Sequence, residues 1–118
     1  MQDKDIKKRS YIFALNIIKL VDVVSQKSLS FTIISKQLIR SATSIGANII
    51  EAQAGSSKKD FTNFLNYALK SANETVFWLN ILNDSNKLPE QNIESLIKEA
   101  TELANILGSS IITLRGKK

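Results

Sequence analysis

The chain has 118 residues, of which 43% are hydrophobic and 23% are charged, and it carries a formal net charge of +5. This composition is typical of one globular domain, because it is too apolar for a disordered chain and too charged for a membrane-embedded one. The absence of cysteine and histidine excludes disulfides, thiolate chemistry and the commonest general base and metal ligand. We therefore expect a cytoplasmic protein that needs no cofactor and is not an enzyme.

Four helices are predicted from apolar residues that recur every three or four positions along the chain. The segments between them are too short for parallel crossovers, so consecutive helices should run in opposite directions. The predicted fold class is all-α, an up-down-up-down antiparallel four-helix bundle that forms a single domain. The predicted helices cover residues 5–24, 31–54, 58–84 and 89–114.

Local signals set the predicted ends of these helices. Ser30 is a candidate N-cap for the second helix, and Ser57 with Asp60 has the spacing of a capping box at the start of the third. Pro89 fits the first turn of the fourth helix. Gly108 lies inside the fourth helix, where we expect fraying because glycine is a poor helix former.

Positive charge is concentrated in the first part of the chain. Residues 1–70 contain eleven Lys or Arg and five Asp or Glu, whereas residues 71–114 contain two and six. Such a basic region favours binding of RNA or DNA through phosphates, with little sequence specificity. The candidates for phosphate contact are Lys7, Lys8, Arg9, Lys36, Arg40, Lys58 and Lys59, with Lys4, Arg115, Lys117 and Lys118 near the chain ends.

The second and third helices carry more apolar residues than one bundle core needs. A bundle helix buries a stripe of about three positions in seven, and a wider apolar arc lies deep in the core or faces a partner. A wider core remains the alternative to an interface between copies of the chain. The residues predicted to form a homo-oligomer interface are Ile39, Ile50, Phe77, Trp78 and Ile81.

Polar residues follow the apolar face of the same two helices. A carboxylate near this seam would need hydrogen-bond donors, so we predict a structural polar network between the helices. Its predicted members are Ser44, Asn48, Glu51, Ser71 and Glu74. A catalytic carboxylate pair of Glu51 and Glu74 is the weaker alternative, because no nucleophile or metal-binding spacing accompanies it.

A set of spaced positions in the second and third helices resembles a known bacterial family. The positions are Ser44, Ile45, Asn48, Ile49, Glu51, Ser57, Asp60, Phe61, Phe64, Leu65, Ala68, Ser71 and Glu74. The chain resembles the four-helix-bundle family encoded in intervening sequences of 23S rRNA genes, which includes the accessory variability protein of diversity-generating retroelements. The resemblance implies a ring, a pentamer in characterised relatives, that binds nucleic acid and, in the retroelement setting, a reverse transcriptase. It does not imply catalysis.

A protein-interaction scaffold without nucleic-acid binding is the competing hypothesis. Its partner would be a protein such as a reverse transcriptase or a ribosome-associated protein. The fourth helix supports it, because an acidic outer wall would repel phosphates. The acidic residues of that helix are Glu90, Glu94, Glu99 and Glu102.

Overall fold

The computed structural model describes residues 3–25, 27–85 and 90–116, and these residues form four helices. No strand occurs among them. The predicted all-α fold class is therefore confirmed. The helices are α1 (Asp3–Asp22), α2 (Leu29–Gln53), α3 (Lys58–Asp84) and α4 (Glu90–Gly116).

The helices form an antiparallel bundle with an up-down-up-down order, as predicted. Each helix packs against the next one in the chain, and α4 also contacts α1. The bundle measures 51 × 21 × 20 Å, so its length is set by the helices themselves. Consequently α1 and α3 begin, and α2 and α4 end, at the same end of the bundle.

The core contains large apolar side chains from every helix. Phe13, Phe31, Ile45, Leu79 and Leu103 each have at most 1% of their surface exposed. Burying a side chain of this size contributes about 1.5–3 kcal/mol. The three- and four-residue apolar spacing places these residues on the inner face of each helix, which explains why it predicts the bundle.

The start of α2 differs from the prediction. Ser28, not Ser30, is the N-cap, because its backbone is extended and its Oγ accepts a hydrogen bond from the Phe31 backbone N–H at 3.1 Å. The helix therefore begins at Leu29. Ser30 lies in the first turn, with its hydroxyl 3.3 Å from that of Ser28.

The predicted serine cap of α3 is confirmed. Ser57 has an extended backbone, and its Oγ accepts a hydrogen bond from the Asp60 backbone N–H at 3.0 Å. The Asp60 carboxylate accepts a hydrogen bond from Ser56 Oγ at 3.1 Å. Asp60 in this first turn also interacts favourably with the helix dipole.

Helix α4 is unbroken at Gly108, where fraying was predicted, and it ends at Gly116, two residues beyond the predicted end at about residue 114. The reason is tertiary packing, because Leu107 and Ile111 on either side of Gly108 are buried in the core. The predicted start at Pro89 lies outside the described residues.

The substitution Gly108→Ala is expected to raise the free energy of unfolding by up to about 1 kcal/mol, because alanine favours the helix. A Cβ atom at Gly108 would meet no atom within 4 Å. Urea unfolding followed by circular dichroism measures the change. Gly46→Ala is the matched control, since a Cβ there would lie 3.2 Å from Ser10 Oγ. An equal gain in both variants would contradict this explanation.

Candidate nucleic-acid interface

Basic side chains from three helices lie toward one end of the bundle. The antiparallel order places the N-terminal parts of α1 and α3 and the C-terminal turn of α4 in the same half of the bundle. Lys7 and Lys8 lie nearer its middle, because the adjacent Arg9 pairs with Glu102, which precedes Arg115 by 13 residues, or roughly 20 Å along α4. All five side chains are exposed. We call this group the basic end, and it consists of Lys7, Lys8, Lys58, Lys59 and Arg115.

Two acidic side chains lie near the basic end among those that the structure describes. Glu51 at the end of α2 is exposed, and Asp60 in the first turn of α3 is half-buried. Asp60 is already hydrogen-bonded to Ser56. Among the side chains that the structure describes, this balance of five cations and two carboxylates favours a positive potential, which attracts polyanions and increases their rate of association.

The structure places Arg9 in an ion pair between helices. Its Nη2 atom donates to Glu99 Oε1 at 2.6 Å and to Glu102 Oε1 at 3.0 Å, and its Nε atom donates to Glu99 Oε2 at 3.0 Å. The hydrogen bonding to Glu99 raises the pKa of Arg9 above its already high usual value. The positive charge of Arg9 is therefore used to join α1 to α4.

Arg40 is also paired within the protomer. Its guanidinium donates to the carboxylate of Glu74 on α3 and, through Nε, to Gln37 Oε1 at 3.1 Å. Glu74 accepts a second hydrogen bond from Trp78 Nε1 at 2.9 Å. These contacts connect α2 to α3, and they reduce the charge that Arg40 offers to a phosphate.

Lys36 is exposed but lies far from the basic end. It is in the second turn of α2, whereas the basic end adjoins the C-terminus of that helix at Gln53. At 1.5 Å per residue, the separation along the helix is roughly 25 Å. The side chain of Lys4 and both Lys117 and Lys118 lie outside the described residues. Of the seven predicted phosphate-contact residues, only the four lysines of α1 and α3 belong to the basic end.

The hydrogen bonds differ from the predicted polar network. Ser44 Oγ donates to the Arg40 carbonyl at 2.7 Å, and Asn48 Nδ2 donates to the Ser44 carbonyl at 2.9 Å, so both bonds remain within α2. The side chain of Glu51 is exposed. It is not the buried carboxylate that the prediction required, because it lies on the outer side of α2. Glu51 and Glu74 therefore do not share a cleft suited to acid–base catalysis.

The buried polar contact between α2 and α3 uses two residues that the prediction missed. Thr75 Oγ1 donates to Ser41 Oγ at 2.9 Å and lies 2.7 Å from the Ser71 carbonyl. Both hydroxyl residues are fully buried. The available signal was their helical spacing from apolar neighbours, which places Ser41 and Thr75 on the core faces of their helices. Ser71 itself contributes its carbonyl rather than its side chain.

The five predicted interface residues lie on α2 and α3 and differ in how much of their surface is exposed. Phe77 and Ile81 on α3 are 54% and 37% exposed, and the Phe77 ring contacts Trp78 edge-on with ring centres 4.9 Å apart. Trp78 and Ile39 are partly buried against the core. Ile50 on α2 is 49% exposed and lines a groove between α1 and α2. Only Phe77, Ile81 and Ile50 therefore have large exposed surfaces.

Comparison with known proteins identifies the family. The family model described as 23S rRNA-intervening sequence protein matches residues 2–109. The chain belongs to this family. The resemblance in α2 and α3 is thus confirmed, since the match extends over nearly the whole sequence.

A solved structure supports the same assignment for this 23S rRNA-intervening sequence protein. It is a protein of unknown function of the S23 ribosomal protein family from Bacteroides thetaiotaomicron. It is 40% identical, with 94% of this chain and 98% of the other chain covered and a TM-score of 0.84. A search of the curated proteins gives no match. Among the described residues of this family member, no helix is long and apolar enough to span a membrane.

Proposed function

We propose that the protein is a non-enzymatic homo-oligomer that binds nucleic acid through the basic end, with little sequence specificity. The observation that carries this proposal is that five exposed cations, Lys7, Lys8, Lys58, Lys59 and Arg115, lie in one half of the bundle. Their sequence positions are far apart, so the group exists only in the folded chain. Their exposure allows all of them to face a large polyanion.

The chemistry of these side chains supports contact with the phosphate backbone. A lysine ammonium group acts as a compact point charge, and it binds phosphate oxygens without recognising a particular base. Each phosphate that is neutralised releases counterions, which gives affinity that is independent of sequence. Binding of this kind accepts RNA or DNA of many sequences.

The proposal includes oligomerisation because one protomer offers few cations. Phe77 and Ile81 form an exposed apolar ridge on α3, which is a reasonable contact for a second copy. Copies joined in a ring would present several basic ends to one strand, and linked sites bind more tightly than separate ones. A pentamer is the expected number of copies, by analogy with the characterised relatives.

The proposal is tested by measuring binding over a range of salt concentrations. We expect fluorescence anisotropy to detect binding of RNA and DNA, with log K falling linearly against log salt. If five cations each contact a phosphate, the slope for one protomer on a duplex is roughly −4 to −5. Sedimentation of the same samples is expected to give a species larger than the protomer. Absence of binding at low salt would contradict the proposed function.

The second candidate function is a scaffold for a protein partner such as a reverse transcriptase. Its support comes from the acidic residues of α4. Two of these, Glu99 and Glu102, hold Arg9 and therefore do not form a free acidic surface that would repel phosphates. Nucleic-acid binding is the function that the arrangement of charge supports better.

A further inference from the structure

A groove of about 650 Å³ runs between the outer sides of α1 and α2. Three of its lining residues are very small, Ala14, Gly46 and Ala47, and Gly46 lies where α2 comes close to Ser10 of α1. Larger apolar side chains line the rest of the groove and remain partly exposed. These residues are Tyr11, Leu15, Ile18 and Ile50. The volume is within the range of sites that hold small organic groups.

Tyr11 is the most exposed aromatic side chain in this groove, at 66%. The other two highly exposed aromatic residues each have a ring partner, because Tyr67 contacts Phe64 and Phe77 contacts Trp78. No such ring contact involves Tyr11 in the described part of the chain. Its 66% exposure leaves much of the ring accessible to a ligand.

Two cations of the basic end also line the groove. Lys7 and Lys8 precede Tyr11 by four and three positions, so all three side chains lie on one side of α1. Both lysines are exposed, and neither forms an ion pair with the described acidic residues. The groove thus combines an open aromatic ring, apolar walls and positive charge on one rim.

We propose that this groove binds unpaired bases of single-stranded nucleic acid, with Tyr11 stacking on a base and Lys7 and Lys8 contacting adjacent phosphates. A flat apolar group beside a chain of negative charges is the ligand chemistry that these side chains match. A base inside a duplex is covered by its stacked neighbours on both faces, so it cannot enter the groove. This inference rests on the proposed function and adds a preference for single strands to it.

Charge favours this occupant over a second copy of the chain. A second copy in the groove would cover Lys7 and Lys8, and lysine is depleted in the cores of protein interfaces. Two acidic residues of α4, Glu99 and Glu102, already hold Arg9. A phosphate backbone, in contrast, supplies a negative charge at every nucleotide.

The substitution Tyr11→Leu tests the inference, because it retains an apolar side chain and removes the aromatic ring. Anisotropy is measured with labelled single-stranded RNA and DNA of about 12 nucleotides, and with a duplex of the same length. We expect the affinity for both single strands to fall roughly 5- to 150-fold, the loss that accompanies removal of one stacked base. The affinity for the duplex should change less than about twofold, because phosphate contacts are retained.

Two controls separate stacking from other roles of Tyr11. Tyr11→Phe retains the ring and should bind single strands as the natural protein does. An abasic strand, which has phosphates and no bases, should bind the natural protein and Tyr11→Leu equally. Unchanged single-strand affinity in Tyr11→Leu would overturn the inference. An equal loss on the duplex, or a change in sedimentation, would also overturn it and would assign Tyr11 to folding or to contact between copies.

The affinities of the natural protein for single strands and duplex distinguish failure of this inference from failure of the proposed function. If it binds neither single strands nor duplex at low salt, the proposed function itself is wrong. If the natural protein binds single strands and duplex equally well, and Tyr11→Leu has the same affinities as the natural protein, only the stacking role is wrong. Binding is then through phosphates alone.

Discussion

The joint replacement of Lys7, Lys8 and Lys59 by glutamate is expected to lower the affinity for duplex DNA roughly a hundredfold at about 0.1 M salt. Each lost phosphate contact removes roughly 0.9 from the slope of log K against log salt, so the slope should become shallower by roughly 2 to 3. Anisotropy titrations over a series of salt concentrations measure both quantities. The loss follows from removing three of the cations that the fold places at the basic end.

The matched control reverses the charge of three lysines away from the basic end, Lys19, Lys27 and Lys36. They are exposed and lie toward the opposite end of the bundle. The two triple variants have the same net charge, so a nonspecific effect of charge would weaken both equally. We expect the control to retain most of its affinity.

A second control tests whether the ion-paired arginine contributes to binding. Arg9→Gln should leave the affinity within about twofold, because Glu99 and Glu102 already hold that guanidinium. Loss of this partly exposed ion pair should lower the free energy of unfolding by about 0.2–1 kcal/mol.

The two triple lysine variants decide where nucleic acid binds. If both weaken binding alike, the basic end is not the binding surface.

The double substitution Phe77→Gln with Ile81→Gln is expected to convert the proposed oligomer to protomers. Both side chains are exposed in the protomer, so their replacement removes the proposed apolar contact between copies while changing the bundle core little. Loss of the linked basic ends should then weaken nucleic-acid binding by roughly a hundredfold or more. Sedimentation measures the first effect, and anisotropy measures the second.

The control for this experiment is the double substitution Val23→Gln with Ile112→Gln. Val23 follows the end of α1 and is 66% exposed, and Ile112 lies on α4 and is 74% exposed. Neither residue belongs to the α3 ridge. The control should retain the size of the natural protein. An unchanged oligomer in the Phe77 and Ile81 variant would show that copies associate through another surface, and a monomeric natural protein would remove the prediction altogether.

Helix boundaries illustrate how far local sequence signals extend. Ser57 and Asp60 correctly predict the start of α3, because the hydrogen bond between them depends only on neighbouring residues. Ser28 and Ser30 are both good N-cap residues, and sequence alone does not rank them. Gly108 predicts fraying from its low helix propensity, but propensity does not include the packing of Leu107 and Ile111 that keeps α4 helical.

The candidate site was predictable only in part for a similar reason. Exposure of charged residues follows from residue type, so lysines of α1 and α3 are sound candidates for phosphate contact. Pairing is different, because Arg40 meets Glu74 only after α2 and α3 are packed in one register. Tyr11 falls outside the helical spacing of Ile6, Phe13 and Ile17, so the sequence places it off the core face, but its position beside the groove becomes evident only in the structure.

The sequence by itself determined four helices, their antiparallel order and the apolar faces that form the core, because each depends on spacing within a short stretch of chain. Tertiary structure decided which charges remain available and which are paired across helices. It also decided that lysines separated by about fifty residues lie toward one end of the bundle. The physical reason is that ion pairs and surface clusters depend on distances between helices, and those distances exist only once the core has packed.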